Sequence, residues 1–177
     1  VQGFQEKVPL RILLFVLARR PMGRARVERN GKGAFVAYVP ASMNGAQRFE
    51  GYWLLKVSGQ LILQLVLDFQ VTLVLEHFRI TIEESFVLEH PDGTSHVVEP
   101  GGGFDQLSPV LPLSRSKVVA EAIAFDDGRL EIVLQDGFRL SVVPEPKSAY
   151  EAWNVTGPGG LLIVSTPGGE LALWGRP

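Results

Sequence analysis

His77, His90 and His96 lie close in sequence to Glu83, Glu84, Glu89 and Asp92, and imidazoles with carboxylates are the donor set of zinc, manganese and non-haem iron sites. The spacing argues against such a site. His90 and His96 flank a Pro91-Asp92-Gly93-Thr94 turn and can approach each other across a hairpin, but His77 belongs to a different turn and no HExxH-type pattern is present. The chain has no cysteine, which removes thiolate metal sites, a thiol nucleophile and disulfide staples. None of Ser58, Ser85, Ser108, Ser114, Ser116, Ser141 and Ser165 sits in the G-x-S-x-G elbow that exposes a hydrolytic serine. The glycine runs Gly101–Gly103, Gly157–Gly160 and Gly168-Gly169 lack the Gly-Lys-Ser/Thr ending and following helix of a phosphate loop, and Pro158 and Pro167 suit tight turns instead. No catalytic, cofactor-binding or metal-ligating residue is assigned, and an enzyme is the less favoured reading.

The tryptophans offer a different chemistry, since a large amphipathic ring supplies much contact area at small entropic cost. Strand alternation over Leu171–Trp174 puts Leu171 and Leu173 on one face and Ala172 and Trp174 on the other. Trp174 and Trp153 are therefore the candidate binding-surface residues. Trp153 also fits a core position, because it follows Tyr150 where a strand begins.

The elements that would position these residues read as strands. From Leu61 onward, short alternating segments are punctuated by turn dipeptides, and no useful length carries a helical stripe. Leu130, Ile132 and Leu134 alternate with polar neighbours; Asp136-Gly137 makes a tight hairpin turn; Phe138, Leu140 and Val142 alternate on the return. Asp92-Gly93 and Asp127-Gly128 mark two further turns. Val71–Glu83 echoes Leu130–Val143, with Phe78-Arg79-Ile80-Thr81-Ile82 matching Phe138-Arg139-Leu140-Ser141-Val142, which suggests an internal hairpin repeat. Between the two copies, Pro100-Gly101-Gly102-Gly103 and Leu107–Leu113, with Pro109 and Pro112 unable to donate into a ladder, read as an irregular crossover.

Charge divides the chain. Residues 1–40 hold eight basic side chains against Glu6 and Glu28, 8 − 2 = +6, so with a net charge of −2 the remainder carries −2 − 6 = −8. A basic arm could touch nucleic acid or an anionic surface, but no aromatic stacking or recognition-helix pattern accompanies it, so nucleic acid is the weaker partner reading. Val8 to Ala18 resembles the apolar part of a signal peptide, yet Arg11 interrupts it, Arg19 and Arg20 follow it, and it falls short of the ~20 residues that span a bilayer. The expectation is a short N-terminal helix from near Pro9 to Pro21, a hairpin at Asn30-Gly31-Lys32-Gly33, no transmembrane segment and a cytoplasmic location.

The most distinctive run is Tyr150-Glu151-Ala152-Trp153, then Gly157-Pro158-Gly159-Gly160, then Pro167-Gly168-Gly169-Glu170-Leu171-Ala172-Leu173-Trp174. It reads as three strands joined by glycine turns. Here the chain resembles an uncharacterised family of small bacterial domains, common in actinobacteria, that close on a YEAW…GPGG…PGGELAVW-like motif. The resemblance spans about Leu54 to Trp174 and implies a β-rich domain with no established activity, so it carries over no site residue.

The sequence thus predicts a mainly β protein: a two-layer antiparallel β sandwich or partly open barrel with a short N-terminal helix. Residues 1–53 form a basic extension and 54–177 a compact β domain. The expected core is Leu65, Leu67, Leu73, Leu75, Phe78, Ile80, Ile82, Leu130, Ile132, Leu134, Phe138, Leu140, Val142, Leu161, Ile163, Leu171 and Leu173. With no cofactor assigned, the leading function is non-catalytic protein binding, of a kind that could neutralise a partner, because an acidic body suits a basic protein. The alternatives are a metal- or small-ligand-binding enzyme using the His and carboxylate turns, and weak anionic-surface or nucleic-acid binding through the basic arm.

Overall fold

Alternating apolar residues need two layers to bury one face of each strand, and the chain supplies two antiparallel sheets. The computed structural model describes residues 42–114 and 116–176. The expected N-terminal helix and the Asn30-Gly31 hairpin lie outside the described residues.

In chain order the strands are β1 (Ser42–Met43), β2 (Ala46–Phe49), β3 (Tyr52–Leu55), β4 (Ile62–Leu67), β5 (Val71–Leu75), β6 (Arg79–Ile82), β7 (Phe86–Glu89) and β8 (Ser95–Val98). A single helical turn, α1 (Phe104–Leu107), and a 3₁₀ segment (Ser108–Ser114) follow, then β9 (Val119–Phe125), β10 (Leu130–Leu134), β11 (Arg139–Val142), β12 (Trp153–Gly157), β13 (Leu161–Ser165) and β14 (Leu171–Trp174). Eight strands pair in the order β1-β2-β3-β9-β10-β11-β7-β8 and six in the order β14-β13-β12-β6-β5-β4. Among the described residues neither sheet closes into a barrel. The only α-helical turn among them, α1, is mid-chain, in the stretch expected to be an irregular crossover. None of their helices is long and apolar enough to cross a membrane.

The inward faces share one core. It includes Leu73, Leu75, Ile80, Ile82, Val155 and Ile163 from the six-stranded sheet and Phe86, Leu88, Leu130, Ile132, Leu134, Leu140 and Val142 from the eight-stranded sheet. Of the expected core, Leu65, Leu67, Leu171 and Leu173 are only partly buried, because they lie on β4 and β14, the edge strands of the six-stranded sheet, with a partner strand on one side only. Val110 and Leu113 of the 3₁₀ segment are buried as well. Alternation could not reveal them, since they belong to no strand.

The two echoing hairpins, β5-β6 and β10-β11, lie in different sheets, and the pairings around them correspond. In the first set Leu67 pairs with Val71, Gln64 with Val74, and Ile62 with Leu75 after a bulge. In the second Ala124 pairs with Leu130, Glu121 with Val133, and Val119 with Leu134 after a bulge at the same place. Val71 opposes Ile82 as Leu130 opposes Val142, and Val74 opposes Arg79 as Val133 opposes Arg139. The chain then changes sheets both times: β7 leaves the first hairpin to pair with β11, and β12 leaves the second to pair with β6. Where the two sets meet, Leu61 bridges Val118. The hydrogen bonds there are reciprocal, Ile62 N–H to Lys117 O at 2.8 Å and Val119 N–H to Gln60 O at 2.9 Å.

Candidate functional site

Each sheet also has an outward face, and the two faces differ in chemistry. On the eight-stranded sheet one register row runs Glu121, Val133, Arg139, Glu89, Ser95 across β9, β10, β11, β7 and β8. Arg139 lies 3.8 Å from carboxylate oxygens of both Glu89 and Glu131, and Arg129 lies 4.0 Å from Glu131. Interspersed charges of this kind make an ordinary solvated surface, and each exposed pair contributes about 0–1 kcal/mol.

The six-stranded sheet presents two neighbouring outward rows. The first runs Gln64, Val74, Arg79, Thr156, Leu162, Trp174 across all six strands. The second runs Val66, Thr72, Thr81, Asn154, Val164, Ala172. Strand spacing near 4.8 Å makes each row about 24 Å long. Arg79 is the single charged residue in both rows. The second row is the more enclosed: Thr72, Thr81 and Val164 are buried, and Thr72 Oγ1 and Thr81 Oγ1 share a hydrogen bond at 3.3 Å. The first row stays accessible, with Gln64, Arg79, Thr156 and Trp174 exposed and Val74 and Leu162 half-buried.

Trp174, 53% exposed, closes this row on edge strand β14. Trp153 has no exposed surface. Its indole N–H donates to the Gly128 carbonyl at 2.6 Å, so the one polar group of a core tryptophan is paired. Of the two tryptophans singled out from sequence, only Trp174 can meet a partner directly. Trp53, on β3, is likewise in the core, with the Arg48 guanidinium 5.6 Å from its ring centre.

One end of the face is acidic. Glu83 follows β6 and accepts a hydrogen bond from Asn154 Nδ2 at 3.2 Å. Partial burial, and next the neighbouring Glu151 carboxylate, hold Glu83 above its ordinary pKa, against the opposing pull of the Asn154 amide.

The histidines separate as their turns do. His90 and His96 meet edge to face, ring centres 5.0 Å apart, and His90 also packs 4.8 Å from Phe138. His77 sits at the β5-β6 turn, where its N–H is bound by Gln60 Oε1 at 3.1 Å. Among the described residues no group of three His, Asp or Glu side chains is arranged to hold a metal ion.

Arg79 was not singled out from the sequence. Its signal was the match between Phe78-Arg79-Ile80 and Phe138-Arg139-Leu140, but Val74 aside, the row beside it, Thr156, Leu162 and Trp174, comes from distant parts of the chain and becomes visible only once register is known. No curated protein and no solved structure matches the chain. A model of a family of unknown function, DUF6188, matches residues 53–175, most of the chain and nearly the span over which its strands alternate and its closing glycine turns fall; the chain belongs to that family.

Proposed function

We propose that this protein is a non-catalytic, cytoplasmic protein-binding domain that receives its partner on the outward face of the six-stranded sheet. The observation that carries this reading is the contrast between the two outward faces. One is laced with ion pairs, while the two central rows of the other hold a single charge, Arg79, among apolar, hydroxyl and amide side chains and end on the edge strand at a half-exposed tryptophan. Depletion of charge around an aromatic anchor is what distinguishes the centre of a protein interface from ordinary surface. The acidic balance of residues 41–177, −8 by the count above, and the acidic end at Glu83 and Glu151 favour a partner that is basic overall, as in complexes that neutralise a basic protein.

The test is affinity capture from the native cells with the tagged full-length protein, run beside its Trp174→Asp variant and read by mass spectrometry. The reading expects one stoichiometric protein held by the parent and lost from the variant. Retention of the same protein by both would move the contact away from this face.

A further inference from the structure

Because the two sets of strand pairings correspond, the chain supplies its own control for the docking face. The row Gln64, Val74, Arg79, Thr156, Leu162 occupies the places of Glu121, Val133, Arg139, Glu89 and Ser95. Diagonally beside them, Thr72 opposes Thr81 as Glu131 opposes Ser141. The valine and the arginine are the same in both rows. Each of the three acids around Arg139 is neutral around Arg79: Glu121 corresponds to Gln64, Glu89 to Thr156, and Glu131 to Thr72. Arg139 uses two of these acids, each at 3.8 Å. Arg79 is exposed and forms no ion pair among the described residues.

We propose that Arg79 is the specificity anchor of the docking face and receives a carboxylate from the partner protein, while an apolar side chain of the same segment covers Leu162 and Trp174. This rests on the reading of that face as a docking surface. A guanidinium presents a planar fork that binds a carboxylate through two parallel hydrogen bonds. Here it stands in a row whose own residues offer no competing anion, so the place that carboxylates of the chain fill around Arg139 is open to a carboxylate of the partner. Two steps along the row, Leu162 and then Trp174 supply the apolar surface that excludes water from the pair. A partner that is basic overall thus carries one Asp or Glu at the centre of its contact, a charge complementarity that fixes register.

The probe is a displayed library of random peptides, selected on the immobilised full-length protein. The expected winners carry Asp or Glu at a constant distance from a large apolar residue. Repeating the selection on Arg79→Glu should replace that acid with Lys or Arg. In a third variant, Thr156→Glu, the new carboxylate stands directly opposite Arg79, as Glu89 stands opposite Arg139. It should weaken the parent-selected peptides by about tenfold or more, a change of ~1.4 kcal/mol, while urea unfolding stays at parent level. Winners without an acidic position, or winners that bind Arg79→Glu as well as the parent, overturn the role of Arg79; loss of those winners with Trp174→Ala would still uphold the face. Winners indifferent to Trp174→Ala overturn the face, and a selection that enriches nothing overturns both.

Discussion

Replacing Trp153 with Phe separates the two tryptophans that sequence alone leaves as rivals for the binding surface. Trp153 has no exposed surface and spends its only polar group on the Gly128 carbonyl, 2.6 Å away, between β12 and the β9-β10 turn. Phe keeps a ring in the core but removes the donor, and a buried carbonyl left unpaired costs about 1–3 kcal/mol. The smaller ring also leaves space that the neighbours fill only in part, and the two effects together come to about 2–4 kcal/mol, short of the combined cost of truncation to Ala, where the core-volume loss by itself is about 3–5 kcal/mol. Against a total stability of about 5–15 kcal/mol, Trp153→Phe should still fold but unfold at clearly lower urea. The assay is equilibrium urea unfolding followed by far-ultraviolet circular dichroism, so that loss of a fluorophore does not confuse the readout. Trp174→Ala is the companion measurement, and as an edge residue with half its surface in water it should stay within about 0.5 kcal/mol of the parent. A Trp153→Phe variant as stable as the parent would refute the claim that this indole bond to the β9-β10 turn stabilises the core, and a large loss at Trp174 would show that residue to be part of the core.

Gly128→Ala should cost more than an ordinary surface change: Gly128 has φ +81°, and a Cβ there would stand 2.2 Å from the Gly169 carbonyl oxygen. With ~1–2 kcal/mol for the left-handed backbone alone and displacement of the carbonyl that Trp153 uses, a loss of about 3 kcal/mol or more is expected in the same urea assay. Leu134→Asp puts an unpaired charge at a position that is 2% exposed, and the several kcal/mol this costs should leave no cooperative thermal transition. The raised pKa of Glu83 gives a signed pH effect. The folded protein holds this proton more tightly than the unfolded chain, so its stabilising contribution is complete below the ordinary value of 4.5 and is lost as pH rises through the raised value. Glu83→Gln should flatten that part of the stability–pH curve, and Glu151→Gln, which removes the repulsion, should flatten it in part; an unchanged slope in both variants would contradict the assignment.

Local chemistry was enough to show that the chain is built of strands, and why. Alternation over Leu130–Val142 sorts side chains to two faces whatever lies beyond them, and Asp136-Gly137 turns the chain because glycine tolerates the φ of +97° found there. The same alternation set Trp174 on the face opposite Leu171 and Leu173, and three strands do follow Tyr150 as the glycine turns imply. Tertiary structure alone decided which sheet each strand joins. Nothing local tells β7 to leave β6 and pair with β11, because the hydrogen-bonding edge of a strand is the same backbone whichever partner it meets. The burial of Trp153 was undecided for the same reason, since it depends on a carbonyl twenty-five residues away. Arg79 and Arg139 sit in matching hairpin segments, and beyond the change of Glu131 to Thr72 within the hairpins they part where register sets Thr156 opposite one and Glu89 opposite the other. Whether a side chain is solvated surface or a candidate contact depends on those long-range neighbours, and neighbours across a sheet are chosen by the whole fold.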